Sequence, residues 1–133
     1  MTTGSRGLLD TSVVIAEGDV AAEQLPDVSL ISTFTLAELA TGPHAASEPR
    51  ERAVRQERLQ RVEALFDPLP FDVRAARSYG PIYAAVLAAG RRPQGRIVDL
   101  FIAAVALANG LPLFTRNPDD FRGLDGLVVV VPV

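Results

Sequence analysis

Short apolar segments alternate with longer helical segments along the chain, and this alternation constrains the fold more than any other feature. The apolar segments have strand length and lie at residues 7–10, 28–32, 69–71, 113–115 and 127–131. Such alternation favours an α/β fold with three layers, in which helices flank both faces of a mostly parallel central sheet. Without a repeat or linker, the 133 residues are expected to form a single domain, 1–133.

The helical segments are predicted at residues 12–18, 20–25, 33–42, 48–66, 72–89 and 97–109, with a turn or short helix at 117–121. Gly42-Pro43 is expected to end the third helix and Gly80-Pro81 to bend or split the fifth, because proline lacks a backbone N–H. Residues 100–108 form an uninterrupted apolar run, which predicts a buried central helix.

The composition excludes several kinds of catalytic chemistry. The chain has no cysteine and a single histidine, His44, and all 13 basic residues are arginine. A P-loop, a Schiff base and a thiolate nucleophile are therefore excluded, and a histidine general base is disfavoured. Carboxylates, hydroxyls and arginines remain, together with any metal ion that the carboxylates hold.

The location of the protein is predicted from two features of the sequence. Residues 1–7 are polar and no apolar segment of a signal peptide follows them, while the longest apolar run is about half of a membrane span. We therefore expect a soluble, cytoplasmic protein with no membrane partner. Because the net charge is −3, binding of nucleic acid would have to be local.

Acidic residues from distant parts of the chain are predicted to meet at one rim of the sheet. Asp10 closes the first strand, Glu38 lies near the start of the helix after the second, and residues 117–120 follow the strand that ends at Thr115. Asp99 lies in the first turn of the buried helix, where the helix dipole favours negative charge. Ligand sites of parallel sheets form beyond the carboxyl ends of the strands, so these side chains are expected together.

A cluster of ionised carboxylates is unfavourable unless a cation is shared among them. Mg²⁺ or Mn²⁺ would meet this need, and such an ion activates water for the hydrolysis of phosphodiesters without histidine or lysine. Each acid alone has an ordinary explanation as well. Asp10 is typical of a helix cap, Glu38 of a first-turn acid, and Asp119 and Asp120 of a turn. Their joint placement therefore carries the prediction of a metal-dependent hydrolase.

Four segments resemble the motifs of PIN domains, above all those of ribonuclease toxins from VapBC-type toxin–antitoxin pairs. They are residues 8–15 (LLDTSVVI), 35–39 (TLAEL), 97–104 (IVDLFIAA) and 114–121 (FTRNPDDF), in the family's order and spacing. The resemblance implies a PIN-like fold and a Mg²⁺- or Mn²⁺-dependent endoribonuclease. It also implies an RNA substrate, often tRNA or rRNA, a homodimer, and a small antitoxin that lies across the acidic groove.

The resemblance also implies roles for individual residues. Asp10, Glu38 and Asp99 would be the metal-binding and catalytic carboxylates, with supporting hydroxyls from Thr11 or Ser12 and from Thr115. The resemblance places the fourth acid in the turn after the strand that ends at Thr115, where Asn117 and Asp119 rank above Asp120, whose place before Phe121 is more typical of a turn.

A basic loop runs directly into Asp99. Arg91, Arg92 and Arg96 lie in it, and with Arg116 they are expected to contact the phosphates of the RNA.

Three alternatives stay open at this point. A receiver-like phosphoacceptor module would phosphorylate Asp10, although the chain lacks its lysine. A catalytically inactive PIN fold would act only as a binding module, and a nuclease with this chemistry could also cut DNA.

Overall fold

The computed structural model describes residues 4–16 and 18–133, and a parallel sheet of four strands lies at its centre. The strands are β1 (Arg6–Leu9), β2 (Val28–Leu30), β3 (Leu113–Thr115) and β4 (Val130–Pro132). Their order in the sheet is β2-β1-β3-β4, and every pair of neighbours is parallel. All four strands therefore end at the same rim.

Five α-helices connect the strands within the described part of the chain: α1 (Thr11–Ile15), α2 (Thr33–Ala45), α3 (Pro49–Leu65), α4 (Val73–Ala88) and α5 (Ile97–Ala108). Two short 3₁₀ helices complete the fold, Ala22–Gln24 before β2 and Pro118–Phe121 after β3. The second of these is called the 118–121 turn below.

Successive residues of each strand point to opposite faces of the sheet, and the two faces carry separate cores. Leu8 and Leu113 are buried against α4 and α5, while their neighbours Leu9 and Phe114 are buried against α1, α2 and α3. The predicted three-layer α/β/α arrangement is therefore confirmed. The near-continuous apolar strands of the sequence follow from burial on both faces.

Helix α5 is the most deeply buried helix of the described chain, as its apolar sequence predicts. Leu100 and residues 102–106 have no solvent exposure. The helix ends at Gly110, which has a positive φ of 63°, while the N–H of Leu111 donates to Ala106 O at 2.9 Å. This burial holds the first turn of α5, and Asp99 with it, in place beside the sheet.

The predicted end of a helix at Gly42-Pro43 and the predicted split of a helix at Gly80-Pro81 are wrong. Helix α2 continues past Pro43 to Ala45, and α4 runs without interruption through Pro81. In both cases packing outweighs the missing hydrogen bond, since Pro43 is buried and Ile82, next to Pro81, has no exposure in the contact with α5.

Two of the predicted strands also differ from the structure. Residues 69–71 form one bridge between Leu69 and Ser32, since Leu69 N donates to Ile31 O and Thr33 N donates to Leu69 O. The last strand is shifted to Val130–Pro132, because residues 124–127 form turns. Neither change moves the rim at which the acids were expected.

No helix in residues 4–16 and 18–133 is both long and apolar enough to span a membrane.

Candidate active site

Asp10 lies at the rim directly after β1, and its carboxylate accepts three hydrogen bonds from the residues around it. Its backbone N–H donates to Phe114 O at 2.9 Å, which fixes the residue to β3. Oδ1 accepts from the N–H of Thr11 at 2.8 Å, and Oδ2 accepts from the hydroxyls of Ser12 and Thr115 at 2.9 Å each. The residue is only 4% exposed. Asp10 is therefore both the N-cap of α1 and a precisely oriented acid of the rim.

The two hydroxyls that orient Asp10 also hold the segment after β3. Ser12 Oγ accepts from the N–H of Arg116 at 3.1 Å, and Thr115 Oγ1 accepts from the N–H of Asn117 at 3.0 Å. Each hydroxyl thus donates to the carboxylate and accepts from the backbone. The network joins the starts of the loops after β1 and β3 into one rigid edge.

Glu38 reaches the same rim from the second turn of α2, one turn further into the helix than its sequence position suggested. Thr11 Oγ1 donates to Glu38 Oε1 at 2.6 Å and lies 3.0 Å from the hydroxyl of Thr35. Thr35 is fully buried and was not among the predicted site residues. Its place three residues before Glu38, on the same face of a helix, is the signal that could have identified it.

Asp99 lies in the first turn of α5 and is partly buried. Its pKa is raised to about 6, chiefly by burial and then by the negative charges of Asp10, Asp120 and Glu38, while the charge of Arg96 opposes them. Asp99 and Glu38 line one open cavity of about 370 Å³ together with residues 95–98. The four acids therefore act on one another across a shared rim.

Asp120, rather than Asp119, is electrostatically coupled to this cluster. The pKa of Asp10 is raised chiefly by burial, against which its three hydrogen bonds act, and Asp120 adds a further upward effect. Asp119 is 83% exposed at its side chain and forms a 3.0 Å ion pair with Arg122. The sequence ranked Asp119 above Asp120, whereas the charge of Asp120 is the one that acts on Asp10 and Asp99. Asn117 is exposed beside them, in the cavity lined by residues 116–120.

The four arginines of the predicted RNA contact have different surroundings. Arg92 and Arg116 are exposed. Arg91 Nη1 donates to two backbone carbonyls, Asp119 O at 2.6 Å and Arg122 O at 3.4 Å. Arg96 lies beside Asp99, and its Nη1 is buried without a hydrogen-bond partner among the described residues. Of the four, Arg91 is engaged with backbone carbonyls of the protein itself.

The donor set of the rim fits a hard divalent cation. Its acidic groups are carboxylates, and both burial and the negative charges of its neighbours disfavour the ionised form of Asp99, which Arg96 offsets only in part. Within residues 4–16 and 18–133, no three acidic, histidine or cysteine side chains are placed so that together they could hold a metal ion. Mg²⁺ commonly binds through one or two carboxylates and keeps several water ligands, which this arrangement can provide.

Comparison with known proteins shows the family of the chain. Residues 7–127 match the PIN domain. The chain is 43% identical over 132 residues to ribonuclease VapC5 of Mycobacterium tuberculosis, covering 97% of this chain and 95% of the relative. It is 30% identical over 131 residues to ribonuclease VapC1 of Rickettsia felis, covering 92% of this chain and 93% of the relative.

Solved structures show the same likeness over nearly the whole chain. The structure of VapBC-5, a toxin–antitoxin system of Mycobacterium tuberculosis, superposes with a TM-score of 0.86 at 39% identity, covering 97% of this chain and 99% of that one. FitAcB from Neisseria gonorrhoeae gives a TM-score of 0.70 at 28% identity, with coverages of 92% and 94%. The chain therefore belongs to the PIN-domain family, among the ribonucleases of the VapC type.

Proposed function

We propose that this chain is a metal-dependent endoribonuclease and the toxin of a type II toxin–antitoxin pair. The observation that carries the proposal is that Asp99 meets three other carboxylates at one rim, where burial and then their negative charges raise its pKa to about 6. Such an arrangement costs stability unless a cation binds, so it is typical of a site with a function. The names of the relatives support ribonuclease activity.

Mg²⁺ or Mn²⁺ would be held by Asp10, Asp99 and Glu38, with Asp120 as the fourth acid. When bound, the ion would lower the pKa of a water molecule and stabilise charge on the phosphodiester. Asp120 is preferred to Asp119 because its charge acts on both Asp10 and Asp99. Asn117 and Asp119 remain candidates for contacts with the water molecules around the ion.

The residues of the chain itself would orient the reacting groups. Ser12 and Thr115 hold Oδ2 of Asp10, so its carboxylate keeps one orientation during the reaction. Thr11 holds Oε1 of Glu38, which leaves Oε2 able to accept a hydrogen bond from the attacking water. Thr35 supports the hydroxyl of Thr11 from the buried side.

RNA would be bound by arginines at the edges of the acidic rim. Arg92, Arg96 and Arg116 lie in the two loops that border it, and each could contact a phosphate. We propose a structured RNA, of the tRNA or rRNA class, as the substrate. Metal–carboxylate chemistry does not distinguish sugars by itself, so cleavage of DNA is an outcome that the experiment below must exclude.

A small antitoxin is proposed as the partner, and an apolar groove supports it. The groove has a volume of about 290 Å³ between the α1 region and α3, and its apolar lining includes Val13, Val14 and Leu65, of which Leu65 is 71% exposed. An apolar segment of an antitoxin would cover this groove. Several similar structures were solved as toxin–antitoxin complexes. We further propose that the chain forms a homodimer.

The test is cleavage of total RNA by the purified chain in Mg²⁺ or Mn²⁺, with sequencing of the new 5′ ends. We expect defined cleavage sites with 5′-phosphate and 3′-hydroxyl ends, loss of cleavage with EDTA, and no cleavage of the matching DNA. Asp99→Asn should be inactive, while Asp125→Asn, which removes an exposed carboxylate elsewhere, should retain activity.

Two results would contradict the proposal and favour an alternative. Absence of metal-dependent cleavage by the wild type would favour an inactive binding module. Labelling of Asp10 by a phosphoryl donor would instead favour a receiver-like phosphoacceptor.

A further inference from the structure

The side chain of Arg91 joins the two loops that border the acidic rim. Its Nη1 donates to Asp119 O at 2.6 Å and to Arg122 O at 3.4 Å. Arg91 belongs to the loop after α4, and both acceptors belong to the 118–121 turn and the residue after it. A charged donor to a backbone carbonyl is among the stronger hydrogen bonds of proteins. The contact therefore fixes one loop relative to the other.

The backbone of Arg91 is itself held in one position. Gly90 has a positive φ of 74°, its N–H donates to Leu87 O at 2.9 Å, and the N–H of Arg91 donates to Val86 O at 3.0 Å. These two bonds form a Schellman motif, the arrangement that closes helices with a glycine. Because Val86 is buried against α5, the backbone of Arg91, from which the guanidinium extends, is held in place.

The other end of the contact is also anchored close to α4. Phe121 is buried, and Gly123 has a φ of 97° with its α-carbon so near to α4 that a Cβ would lie 2.7 Å from Ala89 Cβ. Gly123, two residues after the 118–121 turn, is therefore packed against the end of α4, while the turn itself contacts α5 and β4. The bond from Arg91 restrains the exposed side of the same turn, where the two aspartates lie.

Asp119 and Asp120 face different surroundings, and the restrained carbonyl lies between them. The carboxylate of Asp119 pairs with Arg122, whereas the charge of Asp120 acts on Asp10 and Asp99. Asp119 O belongs to the peptide group that connects Asp119 to Asp120. Rotation of this peptide group would redirect the side chain of Asp120. The bond from Arg91 opposes that rotation, in addition to two backbone bonds of the turn, from Asp120 N–H to Asn117 O at 3.0 Å and from Arg122 N–H to Asp119 O at 3.3 Å.

We propose that Arg91 is a positioning residue, which holds the 118–121 turn so that Asp120 completes the acidic rim. This inference rests on the proposed function of that rim. It replaces the expectation that Arg91 contacts RNA phosphates, and the two roles differ in their kinetics. Loss of a phosphate contact raises KM and reduces the salt dependence of binding, whereas misplacement of Asp120 lowers kcat and weakens metal binding.

The experiment compares Arg91→Ala, Arg91→Lys and Arg122→Ala, with cleavage kinetics and Mn²⁺ titration calorimetry. Arg91→Ala is expected to lower kcat and Mn²⁺ affinity by about tenfold each, with KM for RNA and the salt dependence unchanged. Arg91→Lys, which keeps a cationic donor, should recover part of both. Arg122→Ala is the matched control, because it removes a neighbouring positive charge but keeps the carbonyl that Arg91 binds, and it should stay within about twofold of wild type.

A double-mutant cycle with Asp120→Asn separates positioning from general destabilisation. If Arg91 acts through Asp120, Arg91→Ala should add little to the loss of kcat that Asp120→Asn already causes. The proposal would be overturned if the two substitutions lowered kcat independently, so that their losses multiply in the double mutant. It would also be overturned if Arg91→Ala raised KM with unchanged kcat, or if Arg122→Ala lost as much kcat as Arg91→Ala. A chain that binds Mn²⁺ with this dependence on Arg91 but cleaves no RNA would contradict the proposed function alone.

Discussion

Asp10 and Asp99 reach the same rim from a strand end and from a helix start, and the protein surrounds their charges differently. Asp10 accepts three hydrogen bonds and is almost fully buried. Asp99 accepts no side-chain hydrogen bond from the described residues, and Arg96 is the cation that opposes the repulsion by its acidic neighbours. One acid is oriented by the fold, while the other is left with an uncompensated charge.

This difference indicates a division of roles within the site. A carboxylate with three fixed donors keeps its direction whether or not a cation is present. A carboxylate whose pKa is raised to about 6 by burial and neighbouring charge gains most when a cation arrives. Asp10 would thus fix the geometry of the metal site. Asp99 would contribute most of the binding free energy, because a bound cation relieves the unfavourable electrostatics of its carboxylate.

The largest effect is expected on catalysis, and it should be similar for both acids. Asp10→Asn and Asp99→Asn each remove a proposed metal ligand, so each should lower kcat/KM for RNA by about a thousandfold or more. Single-turnover cleavage of a mapped RNA substrate measures this. Full activity in either variant would remove that acid from the site.

The two acids should differ in the sign of their effect on stability. Without metal, the raised pKa of Asp99 means that the folded chain binds more protons than the unfolded chain between about pH 4 and 6, so its stability falls as pH rises through that window. At pH 7.5, Asp99→Ala should therefore raise the free energy of unfolding by about 1 kcal/mol, after allowance for screening by solvent.

Asp10→Ala should instead lower the free energy of unfolding by about 1–2 kcal/mol, because it removes a helix cap and leaves the donors of Ser12 and Thr115 without their acceptor. Urea denaturation in EDTA measures both variants. If both variants changed the free energy of unfolding in the same direction, the contrast between the oriented carboxylate of Asp10 and the uncompensated carboxylate of Asp99 would be contradicted.

A smaller effect is expected where a hydroxyl orients an acid. Thr11→Val removes the donor to Glu38 Oε1 and keeps the shape of the side chain, so kcat should fall by about tenfold with little change in KM. Thr41→Val is the matched control on α2, since the hydroxyl of Thr41 donates to the backbone carbonyl of Glu38 and not to its carboxylate. A similar loss of kcat in both variants would contradict this role for Thr11.

The layers of the fold and the rim of the site could be predicted from the sequence because both follow from periodicity. Apolar strands that alternate with helices specify a parallel sheet, and a parallel sheet brings the residue after each strand to one edge. Asp10 and Thr115 were placed correctly by this rule alone. The first turn of α5 was equally predictable, since an uninterrupted apolar run must be buried.

The details that the sequence could not provide depend on tertiary contacts. Pro43 and Pro81 lie inside helices because buried neighbours compensate for the lost hydrogen bonds. The relative positions of Asp119 and Asp120 depend on which way one peptide group turns, and the contact with Arg91 is formed across 28 residues of chain. The motif contains both Asp119 and Asp120, so the sequence alone cannot tell which of the two faces the acidic rim.

The most direct test of the central claim is calorimetric titration of the free chain with Mn²⁺ in buffers of different ionisation enthalpy. If Asp99 is the uncompensated acid, binding at pH 6 should release protons, and this release should decline towards pH 8 as Asp99 is already ionised there. The Asp99→Asn variant should bind Mn²⁺ weakly and release no protons on binding. An absence of saturable Mn²⁺ binding by the wild type, or equal binding and proton release in Asp99→Asn, would contradict the account.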